Sequence, residues 1–316
     1  MPVVRGQWGL LFTLKFNGIG TGMGRRKNLP GKNRVAVITD SIACLAKDLI
    51  EQYGIEIVPL NFYAEGKVYR DWIDVTPSEA YKLFLRDPES FKTSAVSPGD
   101  CLQAYRRISQ KTREIVCITL SSKLSAVYDI FRAASEQFQS EFPETTIEVM
   151  DSRTAAAAEG LIVLAAARAA AQGKSLADVL RITEEVRDKV TIVAVMDTVR
   201  YIYRSGRMPK IAAVAGSMLN IKPVFTFSSG VPHFIGPVRN KDRGVERLLK
   251  LMRKKVGRNQ VHVAVMHVYD QEEAERLKEM VSAEFNCAEL WLTEFSPLMG
   301  YACGTGTLGL AFYSDD

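Results

Sequence analysis

From Arg34 onward the apolar positions follow two alternating rhythms. RVAVITDS is a short run of β-forming residues ending in polar Thr39, Asp40 and Ser41. CLAKDLIEQYG then shows helical spacing and stops at Gly54. IEIVPLNFYAEGKVYRD predicts a strand and then a hairpin turning at Glu65-Gly66. Thr76-Pro77-Ser78-Glu79 is a capping box with proline at the first helical position, and Ser97-Pro98-Gly99-Asp100 opens another helix similarly. REIVCITL and TTIEVMDS read as strands. SSKLSAVYDIFRAASEQF and TAAAAEGLIVLAAARAAAQG, which follow them, read as helices. Strands alternating with helices of this length predict a parallel sheet covered on both faces.

The rhythm changes in the second half. Ser175 caps a helix reaching about Lys189, TIVAVMD is a strand, and VRYIYRSGRM is a short helix that breaks at Gly206. IKPVFTFSSGVPHFIGPVRNK predicts two strands joined at Ser229-Gly230. RGVERLLKLMRKKVG is an amphipathic helix, VHVAVMHVYD a strand, DQEEAERLKEMVSAEF a helix and AELWLTEF a final strand. Hairpins mixed with helices predict a mixed-sheet α/β domain. The boundary falls near 152–175, giving an N-terminal domain at 34–152 and a C-terminal domain at 153–316. Residues 1–33 have no periodic apolar pattern. NGIGTGMGRRKNLPGK reads as a disordered extension, with Met23 as an alternative start.

Composition narrows the class. With 47% hydrophobic and 24% charged residues over 316 positions, the chain is neither disordered nor collagen-like nor a coiled coil. Five cysteines, none spaced as CxxC, argue against a disulfide framework and a zinc ribbon. His262 and His267 lie five apart on one predicted strand and face opposite sides, which argues against a metal site. The longest apolar run is broken by Glu159, Gly160 and Arg168, so it reads as a buried core helix and not a membrane span. The N-terminal segment lacks the pattern of a signal peptide, so a cytoplasmic location is expected.

The net charge of +5 raises the question of a nucleic-acid partner. Seven of the 41 basic residues and none of the 36 acidic ones precede Asp40, so the rest of the chain carries a net charge of −2. The basic excess belongs to the N-terminal segment, and no nucleic-acid-binding domain is expected.

Two glycine patterns, NGIGTGMG and CGTGTLG, lack the strand–turn–helix setting of a dinucleotide site. There is no GxxxxGK[ST] and no GxSxG. More informative is a repeated junction: strands end in Thr39-Asp40-Ser41, in Ser121-Ser122 with Ser125, and in Asp151-Ser152, while Thr93-Ser94 precedes the Ser97 cap. In a parallel sheet such turns gather at the carboxyl edge, where free N–H groups and hydroxyls favour an anion. Capping is the ordinary job of such residues, but Ser121-Ser122-Lys123-Leu124-Ser125 has more hydroxyls than one cap needs. Arg204 and Arg207 flank a glycine break, and Arg239, Lys241 and Arg243 form a basic loop suited to anion recognition or docking to an acidic partner.

ITDS, TSAVSPG, LSSKLSAVY, the Asp151-Ser152 turn, YRSGR, LNIKPV, GPVR and the glycine-rich C-terminal segment occur in the order of the DegV family, which this chain resembles from about Arg34 to Tyr313. These are bacterial fatty-acid-binding proteins, the FakB-type subunits of fatty-acid kinase. The resemblance implies a two-domain α/β protein with one long-chain fatty acid between the domains, its carboxylate held by hydroxyls and its tail buried. It implies no cofactor and no catalysis by this chain, which would present the acid to a separate kinase for acyl-phosphate formation. Thr93 and Ser94 match the family's TS motif, Ser122 and Ser125 its SSxLSGTY motif, and Arg207, with Arg204 nearby, its GGR motif. Arg239, Lys241 and Arg243 match the basic loop, implied to meet the kinase. Ala95-Val96 stand where the family has Gln-Pro, Ala126-Val127 where it has Gly-Thr, and Ala302-Cys303-Gly304 where it often has a histidine-containing HTGPG. A second reading is an enzyme acting on a small carboxylate or phosphate ester with Ser122 or Asp40 as nucleophile. The scarcity of histidine weighs against it.

Overall fold

The computed structural model describes residues 35–208 and 221–315. The expectation for residues 1–33 lies outside them. The first sheet is built from β1 (Val35–Asp40), β2 (Glu56–Val58), β6 (Glu114–Thr119) and β7 (Thr146–Asp151), in the order β2-β1-β6-β7 and parallel throughout. Its connections include α1 (Lys47–Tyr53), α2 (Pro77–Arg86), α3 (Pro98–Ser109) and α4 (Val127–Glu141). The caps act as the sequence predicts: Thr76 and Glu79 form a reciprocal capping box, and Ser97 accepts from the Asp100 N–H. A small antiparallel sheet, β4-β3-β5, joins β3 (Asn61–Ala64), β4 (Lys67–Arg70) and β5 (Lys92–Ser94).

The second sheet has six strands in the order β10-β9-β8-β13-β11-β12. They are β8 (Thr191–Val195), β9 (Lys222–Ser228), β10 (Val231–Val238), β11 (Val261–His267), β12 (Cys287–Glu294) and β13 (Leu308–Ser314). Only β11 and β12 pair in parallel, so the sheet is mixed. One sequence reading needs correction. AELWLTEF is not the final strand, because LGLAFYS forms β13, between β8 and β11. Antiparallel pairing on both sides requires no crossover helix after it, so the usual signal of a parallel strand is missing.

The layers follow from which faces are apolar. Phe131 and Phe138 on α4 and Tyr105 on α3 pack on one face of the first sheet with Ile115 and Cys117. Its other face, through Val37 and Val116, meets α5 (Ala157–Ala171), which also touches Ala264 and Ala311 of the second sheet. α5 is buried almost all round because it lies between two sheets, with α6 (Leu176–Lys189) beside it. The far face of the second sheet carries α8 (Lys241–Val256) and α9 (Gln271–Glu284) through Leu248, Met252 and Leu277. Alanine-rich composition lets α5 approach closely: a β-carbon at Gly160 would stand 2.5 Å from the Ala43 carbonyl oxygen. Two short helices, α7 (Arg200–Ser205) and α10 (Pro297–Cys303), pack on each other.

Candidate ligand-binding cavity

The carboxyl ends of β1, β6 and β7 lie side by side, as a parallel sheet requires. Most of their polar groups serve one another. Asp40 accepts from the Ile42 N–H at 2.9 Å and the Leu120 N–H at 2.8 Å. Its side chain also caps the 3-10 turn Ser41–Ala43, so α1 starts only at Lys47, later than apolar spacing alone predicts. Ser122 donates its hydroxyl to Asp151 Oδ2 at 2.6 Å. Ser121 donates to the Gly230 carbonyl at 2.7 Å.

Ile42 and Leu120, whose backbones Asp40 holds, turn their side chains into a cavity of about 110 Å³. One water needs only about 10–15 Å³ measured in this way, so the space suits a ligand. From the first half of the chain, Thr93 and Ser94 at the end of β5 and Leu124 and Ser125 before α4 line it. From the second half come Ile192 and Ala194 on β8 and Met196 just beyond it, Phe225 and Phe227 on β9, and Leu298, Met299 and Tyr301 on α10. The wall is therefore mainly apolar. Among the described residues, no hydrogen-bond partner engages the hydroxyls of Thr93, Ser94 and Ser125, unlike those of Ser121, which donates to the Gly230 carbonyl, and Ser122, which donates to Asp151. Arg207 also lines the cavity; it is exposed, and its guanidinium donates to the Ser205 carbonyl at 2.7 Å.

The structure thus brings together Thr93, Ser94, Ser125 and Arg207 and leaves two candidates off the wall. Ser122 faces Asp151. Arg204 binds Glu89 at 2.8 Å and lies over the rings of Tyr201 and Tyr301, 5.4 and 5.1 Å from their centroids. It therefore supports the lining residue Tyr301 from behind. The expected basic loop is only partly a loop: Arg239 is exposed before Asn240 caps α8, whereas Lys241 and Arg243 lie in the first turn of that helix, Lys241 paired with Asp270 and Arg243 with Glu246.

Sequence reasoning missed the apolar wall. Its signal was the two-residue alternation of TIVAVM and VFTF, which puts Ile192, Ala194 and Met196, and Phe225 and Phe227, on common faces. The α10 wall gave no comparable signal. Its seat depends on Tyr81, fully buried in α2, whose hydroxyl lies within hydrogen-bond distance of the Phe295 and Ser296 carbonyls, at 2.7 and 3.0 Å.

Behind this wall three fully buried carboxyl groups, Asp40, Asp71 and Glu159, stand near one another. Burial pushes Asp40 up to about 6, against the pull of its two N–H donors. Burial also raises Asp71 to about 7, opposed by Ser296, whose hydroxyl donates at 2.5 Å. Burial and the neighbouring Asp40 raise Glu159 well above the usual range. Among the described residues, no cluster of three or more His, Cys, Asp or Glu side chains is arranged to hold a metal ion. No described helix is long and apolar enough to cross a membrane.

Fold and cavity define a class first: α/β proteins in which a parallel and a mixed sheet, sharing one buried helix, border a largely apolar chamber with hydroxyls at its wall. The DegV family model matches residues 34–315, and the chain belongs to the DegV family. A DegV domain-containing protein of Clostridium perfringens is 30% identical over 280 residues, which cover 88% of this chain and 98% of that protein. A DegV family protein from Thermus thermophilus, described by its fatty acid binding, is 28% identical with a TM-score of 0.81, covering 89% of this chain and 99% of its own. DegV of Bacillus subtilis, described as a fatty acid binding protein, is 26% identical with a TM-score of 0.80 over 89% and 99% of the two chains.

Proposed function

We propose that this chain binds one long-chain fatty acid, with the carboxylate at Thr93, Ser94, Ser125 and Arg207 and the tail along β8, β9 and α10. The observation that carries this reading is the cavity itself, where three hydroxyls without a side-chain partner among the described residues face an apolar lining. The fatty-acid-binding relatives from Thermus thermophilus and Bacillus subtilis support it. Ten buried methylenes would contribute about 8 kcal/mol. Hydrogen bonds to the charged head group would add roughly 1.5–3 kcal/mol each. Ser122 then positions the turn that carries Ser125, and Arg204 backs Tyr301. The ligand lies between the domains at 34–152 and 153–316.

In this reading the chain is a carrier that presents its acid to a separate fatty-acid kinase, with Arg239, Lys241 and Arg243 on the docking face. Two observations weigh against a hydrolytic enzyme. Asp40 is fully buried with both oxygens engaged, and none of the three histidines lines the cavity.

Native mass spectrometry of protein purified from cells tests the binding. A bound C14–C18 acid is expected; a clean apo mass with no uptake of such acids would sink the proposal. Thr93→Ala or Ser125→Ala should weaken binding about 10- to 100-fold. Acyl-phosphate formation with a purified kinase subunit and ATP tests the carrier role, and should fall when Arg239 is changed to Glu.

A further inference from the structure

At one side of the cavity two pieces of chain meet at a seam. One piece is the turn after β6, carrying Leu120, Leu124 and Ser125; the other is the β9–β10 hairpin, carrying Phe227 and Pro232. The turn is held from several directions. Leu120 N–H goes to Asp40, Ser121 N–H to the Thr154 carbonyl at 3.0 Å, and Ser122 to Asp151. The hairpin is held less firmly. β10 is the edge strand of its sheet, and its pairing with β9 is irregular between Phe234 and Gly236. β9 is paired with β8 at Val224–Thr226, so the tip of the hairpin, from Phe227 to Pro232, lies beyond that ladder and can move without breaking it.

Among the described residues, one hydrogen bond joins this hairpin to the first half of the chain: Ser121 Oγ to the Gly230 carbonyl, 2.7 Å. Its geometry is determined on both sides. Ser121 Oγ accepts from the Lys123 N–H at 3.3 Å, which leaves its single proton for Gly230. Ser121 is fully buried, so water does not compete for that proton. A β-carbon at position 230 would stand 2.7 Å from Ser121 Oγ, and the backbone there has φ +83°, so glycine alone lets the tip seat this closely.

We infer that Ser121 is a latch: its bond to Gly230 holds the hairpin shut over the cavity, and its breaking opens the path by which ligand enters and leaves. The inference rests on the fatty-acid reading above. A latch and a binding contact differ in kinetics. Loosening a latch speeds entry and exit alike and leaves affinity nearly unchanged, whereas removing a binding contact speeds exit alone.

The test uses the full chain and cis-parinaric acid, a fluorescent C18 acid, in stopped flow. Dissociation is followed by competition with oleate. Ser121→Ala should raise both association and dissociation rates about tenfold, with Kd changed less than about threefold. A second variant, Gly230→Ala, puts a β-carbon 2.7 Å from Ser121 Oγ, should unseat the tip and should speed entry and exit in the same way. Rates insensitive to both variants would overturn the latch, as would a faster exit with unchanged entry. Wild-type protein that takes up no probe would refute the fatty-acid reading itself, and the latch with it.

Discussion

Gly300 lies in α10 against Tyr81, and replacing it with alanine probes the seat of one cavity wall. The added β-carbon would stand 2.0 Å from Tyr81 Cε1 and 2.6 Å from its hydroxyl oxygen. Tyr81 cannot swing aside freely, because it is fully buried and its hydroxyl is tied to the Phe295 and Ser296 carbonyls. Overpacking of this kind costs about 1–3 kcal/mol. Disturbing the hydroxyl's hydrogen bonding adds roughly 1–3 kcal/mol. Alanine's better helix propensity returns about 1 kcal/mol. The net expectation is a loss of about 1–5 kcal/mol, read as a lower denaturant midpoint at unchanged slope. Combining Gly300→Ala with Tyr81→Leu should recover at least about 1 kcal/mol of that loss, a coupling that only contacting residues show. A Gly300→Ala protein within about 0.5 kcal/mol of wild type would refute the close packing of α2 on α10.

Stability should peak at mildly acid pH. Asp40 and Asp71 are raised to about 6 and about 7 from an ordinary 3.8, so their contribution is full below about 4 and fades as pH climbs through 6–7. Burial opposes ionisation of Glu289, but Arg168 and His262 outweigh it and hold it at about 2, so its contribution disappears as pH falls from about 5 toward 2. Denaturant midpoints should therefore rise from pH 8 to about 5 and fall below 4, with Asp71→Asn flattening the alkaline limb and Glu289→Gln the acid one. Ser122→Ala should cost about 1–2 kcal/mol through the lost Asp151 bond, yet leave the affinity for a C16 acid within about threefold by isothermal titration calorimetry. A loss of affinity tenfold or greater would put Ser122 at the head group.

Local chemistry made much of the fold legible. The capping residues Thr76, Ser97 and Ser175 start α2, α3 and α6 where the sequence places them, and Glu65-Gly66 and Ser229-Gly230 turn their hairpins. Ser125 was legible from the surplus of hydroxyls at Ser121–Ser125, and Thr93 and Ser94 through their match to a family motif. β5 was not, because three residues carry no periodicity and its pairing with β3 is a tertiary fact. Ser122 lies off the cavity wall for a related reason. Its partner Asp151 is 29 residues away, and only the parallel register of β6 and β7 brings the two together.

The central position of β13 bears on how the chain comes to be folded as it is synthesised. β8 and β11 flank β13 in the sheet, yet both precede it in the chain, and the register pairs Leu308 with Val195 and with His267. Until Leu308–Ser314 has emerged from the ribosome, β8 and β11 keep an open edge each. Pairings of such large sequence separation close slowly. The nascent protein must therefore wait, with both apolar strands, β8 of the cavity wall among them, still accessible to chaperones or to aggregation. A ligand that needs the finished cavity can load only after that strand is in place.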